Sequence, residues 1–161
     1  AASDVYKRQE ADPTGDVEGF DAAYKIVTLA TIAFNKRIKI GGIYREGITK
    51  ITDRDIKFAN ELGYKIKLIA TAKLDENGRA DVRVHPMLVP KEHVLAKINN
   101  VTNAVMLSGQ PVGEIMFTGP GAGEMPTASS VVGDILALAF EISTTDYPLP
   151  MMRCNLSLIH I

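Results

Sequence analysis

Between Glu10 and Lys25 the sequence E-A-D-P-T-G-D-V-E-G-F-D-A-A-Y-K gathers five carboxylates, Glu10, Asp12, Asp16, Glu18 and Asp21, ahead of one lysine. Carboxylates at that density can hold a cationic, hydroxyl-bearing ligand, and a lysine beside them can move a proton. A free lysine titrates near ~10.4, so proton transfer near neutrality needs its pKa lowered by burial or set by contacts with a substrate. From Phe20 onward, Phe20, Ala23, Ile26, Val27, Ala30, Ala33 and Phe34 recur at helical spacing, which predicts a helix over about 20–35. Asp21 and Lys25 then lie one turn apart on one face. The same spacing also makes an ordinary surface ion pair worth a few tenths of a kcal/mol, and spacing alone leaves both readings open.

The elements around this stretch are legible in outline. Asp12-Pro13 and Gly15 favour a turn, and Gly19 closes the irregular part. Gly41-Gly42 interrupts the pattern, and residues 43–51 read as a short extended piece. Thr52 caps a second helix, with Asp55 three residues on as in a capping box and Gly63 as its stop. Residues 64–74 alternate, with Ile66, Leu68, Ala70 and Ala72 to one side and three lysines to the other. Glu76-Asn77-Gly78 supplies a turn, and Ala80, Val82 and Val84 continue the alternation, so a β-hairpin with one buried face is expected. Its polar face is left either solvated or facing another subunit. Pro86 and Pro90 are expected to end its regular pairing, followed by a short helix over 91–98. His93 has no partner at ligand spacing and reads as structural. Residues 103–108 and 112–118 are two strands joined through Gly109-Gln110-Pro111.

The run Gly119-Pro120-Gly121-Ala122-Gly123 precedes a helix containing Val131, Val132, Ile135, Leu136 and Leu138. Backbone N–H groups in such a loop can bind phosphate or approach a cofactor closely. The alternative is a tight strand-to-helix turn that needs positive φ. G-x-G-x-G is weaker than a full dinucleotide fingerprint, and no second strand with its acidic residue follows.

Composition narrows the field. Apolar residues at 46% and charged residues at 23% fit a globular chain able to bury a core, and 161 residues suit a single domain. A net charge of -1 without a basic run argues against nucleic acid as a partner. One cysteine, Cys154, excludes an internal disulfide and a cysteine-based zinc cluster. No uninterrupted apolar run approaches the ~20 residues of a membrane span, and no signal core opens the chain. No membrane partner and a cytoplasmic location are therefore expected.

Several separated motifs, in one order, resemble the homoserine dehydrogenase family. They are the Glu10–Lys25 run, G-G-I-Y-R-E-G-I-T-K-I-T, V-H-P-M-L-V-P-K-E-H-V-L-A, N-A-V and G-P-G-A-G-E-M-P-T-A-S-S-V-V-G-D, and the likeness reaches about Phe140. The resemblance implies that Lys25 is the acid/base residue and that Asp21 positions it and the substrate. It places Glu10 at the substrate's amino end and Asp16 near the same site. It implies a cofactor contact from Gly121 or Gly123, with NAD(P) bound mainly by an N-terminal domain that has no counterpart here. That domain would also carry a second active-site lysine and the family's metal-binding loop, so no metal ligand is assigned to this chain.

The implied fold is α+β, a mixed and largely antiparallel sheet with helices mainly on one face. Residues 1–9 read as a non-native or disordered extension, 10–145 as the catalytic and dimerisation domain, and 146–161 as a partly non-native tail. The implied activity is interconversion of L-homoserine and L-aspartate 4-semialdehyde by a homodimer, in threonine, methionine and isoleucine biosynthesis. The chain alone is expected to be inactive. The competing reading is a non-catalytic amino-acid-binding and dimerisation module.

Overall fold

The computed structural model describes residues 12–121 and 123–144, which divide between two compact units meeting at Ile98 and Asn99. In the first unit, α1 (Thr14–Val17) is a single turn, followed by α2 (Phe20–Phe34), the short strand β1 (Tyr44–Arg45), α3 (Asp53–Glu61) and the long strands β2 (Tyr64–Leu74) and β3 (Ala80–Pro90). Sheet order is β1-β3-β2, with β1 parallel to β3 and β2 antiparallel to it. In the second unit, β4 (Thr102–Gly109) and β5 (Gly113–Pro120) form an antiparallel pair, and α4 spans Glu124–Thr144. The expected α+β fold with a mixed, mostly antiparallel sheet is what the chain adopts.

Alternation in the hairpin sets its register. Ala72 lies opposite Val82 and Ala70 opposite Val84, which puts the small and β-branched residues of both strands on one face. Val84 is 0% exposed, and Val82 packs with Val27 and Ala30 of α2 and with Ile26, Phe34, Ile38 and Ile43 around them. Burying this set is what holds α2 on the sheet. The Asp75 side chain accepts from the N–H groups of Asn77 and Arg79 and shapes the turn, with Gly78 at φ 70°. At α3, Thr52 and Asp55 form the capping box in both directions.

Four expectations need correction. Gly15 lies inside α1, so the acidic stretch contains one helical turn instead of an open loop. The extended piece over 43–51 is a strand only at Tyr44–Arg45. The helix expected over 91–98 is a 3₁₀ turn, Val94–Lys97, capped by His93 Nδ1 accepting from the Leu95 N–H at 3.2 Å.

Pro86 and Pro90 do not end the hairpin either, since pairing continues to Tyr64 opposite Pro90. Lys91 N donates to Gly63 O on the β2 side, whereas Val84 O accepts from Glu46 on the β1 side. Even-numbered residues of β3 therefore turn their backbone groups toward β1, which stops at Arg45. The missing proline N–H groups fall on an open edge, where the ladder loses nothing.

The hairpin's polar face is also partly covered. Lys65 and Lys67 donate to the carbonyls of Ala96 and Ile98 at 3.1 and 2.5 Å, and burial, then the neighbouring Lys65, holds Lys67 below the usual lysine range.

Helix α4 is long and apolar enough, by length and composition, to cross a bilayer, and none of its residues is buried. Counting uninterrupted runs missed it, because Gly133, Asp134 and Glu141 break the apolar sequence without lowering its average enough to matter.

Candidate active site

The acidic stretch becomes a defined elbow. Asp12 accepts from both the N–H and the hydroxyl of Thr14, and those bonds, the hydroxyl's first, hold its carboxyl below the usual carboxylate range. α1 then ends at Glu18, and Gly19, buried at φ 75°, turns the chain into α2. A side chain at Gly19 would be strained by that φ and would approach Val84 Cγ1 at 3.1 Å.

A second strip of chain, Arg45–Ile48, clamps the elbow from outside. Ile48 N donates to Val17 O at 2.7 Å, and Glu46 N donates to Val84 O at 2.8 Å, so this strip bridges the elbow to the sheet. Arg45 donates through Nη1 to the Glu18 carbonyl, stands 4.0 Å from the Glu18 carboxylate, and lays its guanidinium 3.6 Å from the centre of the Phe20 ring. Gly47 is buried against the elbow's backbone: a Cβ there would lie 2.5 Å from Val17 O and 2.6 Å from Glu18 Cα. The start of α2 is thereby fixed in position by contacts with Arg45–Ile48, and with it the two residues singled out for chemistry.

Those two meet. Lys25 Nζ lies 2.7 Å from Asp21 Oδ2, with the side chains 51% and 49% exposed. The pair thus sits at a solvent boundary on a helix whose opposite face is core. Asp16 is exposed on α1. Glu10 lies outside the described residues. Gly121 and Gly123 belong to the second unit, where they join β5 to α4. Gly121 N donates to Val101 O, and the space a Cβ would take is filled by the Asn103 amide. The absence of a side chain at Gly121 is thus accounted for within the chain. Gly123, at φ 138° with Pro126 close by, is the position where the backbone itself favours glycine, and the turn it makes is compatible with a cofactor lying against it. Among the described residues no three His, Cys, Asp or Glu side chains gather as a metal site.

Sequence reasoning missed the clamp. Arg45 and Gly47 stood inside a quoted motif, yet nothing in their spacing says that they touch residues about 27 positions earlier. A buried glycine with an ordinary φ leaves no local signature.

The homoserine dehydrogenase family profile matches residues 6–136, most of the chain and all of the elbow, clamp and Asp21–Lys25 pair. The chain belongs to the homoserine dehydrogenase family. A homoserine dehydrogenase from Pseudomonas aeruginosa is 49% identical over 127 residues, covering 79% of this chain and 29% of the relative. A homoserine dehydrogenase structure from Thiobacillus denitrificans aligns at TM-score 0.82 and 39% identity, over 91% of this chain and 35% of that one. A hyperthermophilic archaeal homoserine dehydrogenase in complex with NADPH, 24% identical, shares the fold at TM-score 0.66 over 91% of this chain and 39% of that one. The chain thus spans under a third of the length of the Pseudomonas relative. The match begins upstream of Glu10, so that residue falls within the homoserine dehydrogenase segment.

Proposed function

We propose that this chain is the substrate-binding and proton-transfer portion of an NAD(P)-dependent oxidoreductase that interconverts L-homoserine and L-aspartate 4-semialdehyde, a step toward threonine, methionine and isoleucine. The observation that carries the reading is the Asp21–Lys25 contact at 2.7 Å on a helix start locked by Arg45 and Gly47, inside the matched segment. NAD(P), when bound, supplies or accepts the hydride. As an ammonium, Lys25 gives its proton to the oxygen of the semialdehyde carbonyl as that oxygen gains charge; in the oxidising direction it takes the hydroxyl proton back. Asp21 holds the Lys25 head at one point in space, so the proton is presented in a fixed geometry. Glu10 and Asp16 are assigned to the substrate's cationic end, where carboxylates are the matching charge. Gly121 and Gly123 are assigned to the cofactor side, Gly123 with the stronger backbone reason.

The pair is half in solvent, so what desolvates it is the substrate that docks there. The working form is proposed to be a homodimer. Among the described residues the 11-residue strand β2 has a sheet neighbour on one side only, and long open edges are seldom left bare.

Steady-state kinetics of the complete enzyme test the roles. Lys25→Ala is expected to lower kcat by about two to four orders of magnitude, and Asp21→Asn by less. Glu10→Ala is expected to act mainly on KM, since a grip on the amino group is felt in ground and transition states alike. Near-wild-type turnover in Lys25→Ala would return the pair to an ordinary surface ion pair.

A further inference from the structure

Away from the Asp21–Lys25 pair, the segment after α2 and the β2–β3 turn enclose an open cavity of about 420 Å³. Lys36, Arg37 and Lys39 line it from the α2 side and Arg79 from the turn, around apolar Ile43 and Val82. Among the described residues no acidic side chain lines it.

Part of this charge has a structural account. Lys36 and Arg37 follow a helix C-terminus, where cations suit the exposed carbonyls, and Lys36 Nζ donates to the Gly78 carbonyl. That account does not reach Lys39 or Arg79. Among the described residues neither has a carboxylate within salt-bridge distance. Of the nearby carboxylates, Asp75 accepts from backbone N–H groups of the turn and Asp81 pairs with Arg83 at 2.7 Å. The Lys36–Gly78 bond ties the two walls together, so the cations are kept around one space instead of dispersing. Like charges held so close repel, and an anion among them removes that cost.

We propose that this cavity binds a small molecule carrying two or more linked phosphate groups. The volume lies in the range of small-ligand sites, roughly 300–1,000 Å³. A single phosphate would answer one wall, whereas linked phosphates can meet Lys39 on the α2 side and Arg79 on the turn. Arginine supplies a planar fork and lysine a point charge, the usual partners of phosphate oxygens. The site shares no residue with the elbow and requires the opposite ligand charge from the acidic stretch.

Calorimetric titration of the complete protein with inorganic pyrophosphate, at constant ionic strength, tests this. Saturable binding is expected, weaker by about tenfold or more in Lys39→Gln/Arg79→Gln, because each lost charge-assisted contact is worth about a factor of ten. Both side chains are exposed and outside the core, so the variant's thermal midpoint should match wild type, and its kcat without pyrophosphate should be unchanged. Equal affinity in wild type and variant would overturn the proposal, since the pyrophosphate would then sit elsewhere. Absence of saturation by about 10 mM would overturn it too. So would saturation by polyglutamate but not by pyrophosphate, which would make the cavity a contact for an acidic polypeptide.

Discussion

Gly47→Ala adds one methyl group, and the clamp predicts that it disturbs both stability and chemistry. The new Cβ would stand 2.5 Å from Val17 O and 2.6 Å from Glu18 Cα, both backbone atoms without a rotamer to change. Reaching even a 3.0 Å contact requires the strip or the elbow to yield by about 0.5 Å, and ordinary contact requires about 0.9 Å. The strip cannot retreat freely, because Ile48 N is bonded to Val17 O and Glu46 N to Val84 O. Overpacking of this kind costs about 1–3 kcal/mol. The displaced segment leads straight into α2, so Asp21 and Lys25 move with it. A shift approaching 1 Å at a proton-transfer group is worth up to about a hundredfold in rate. The expected outcome is a urea midpoint lowered by the equivalent of about 1–3 kcal/mol and a kcat lowered about 10–100-fold in the complete enzyme. Gly41→Ala is the matched control: nothing lies within 4 Å of its added Cβ, so stability should stay within about 0.5 kcal/mol. Wild-type stability and turnover in Gly47→Ala would refute the idea that this strip sets the position of the elbow.

Two further outcomes are expected. Bonds from Thr52, its hydroxyl first, hold the Asp55 carboxyl below the usual carboxylate range. A depressed folded-state pKa contributes stability that is present above the unfolded value, near ~3.9, and is lost as pH falls through the folded value. The stability gap between wild type and Thr52→Ala, read from urea midpoints, should therefore be full at about pH 6 and shrink toward about pH 3; a gap independent of pH would show that the charged capping box contributes nothing. Sedimentation of the complete enzyme should give a dimer at micromolar concentration, and a clean monomer at high micromolar concentration would count against pairing through the open edge of β2.

The sequence by itself determined the elements whose signals are local. The 3.6-residue recurrence from Phe20, the Thr52–Asp55 capping box and the hairpin alternation with Asn77-Gly78 each depend on neighbours within a few residues, and each became the expected element. It also placed Asp21 and Lys25 in contact, because two residues one helical turn apart can hardly avoid it. Motif order was enough to point to the homoserine dehydrogenase family.

Tertiary structure decided what depends on partners distant in the chain. Pro86 and Pro90 stay within β3 because β1 ends at Arg45 and leaves their side of the ladder empty, which no reading of the prolines alone can reveal. Gly121 is filled by Asn103, Gly47 is pressed on Val17 and Glu18, and Arg45 reaches back to Glu18 and Phe20. The cations of residues 36–39 meet Arg79 only because the hairpin turn folds beside the end of α2. In the first unit the chain must first be brought together by burial of Val27, Ala30, Val82 and Val84. Burial is non-directional and acts on the whole hydrophobic set at once, so the contacts it brings about are not written in any one stretch of sequence.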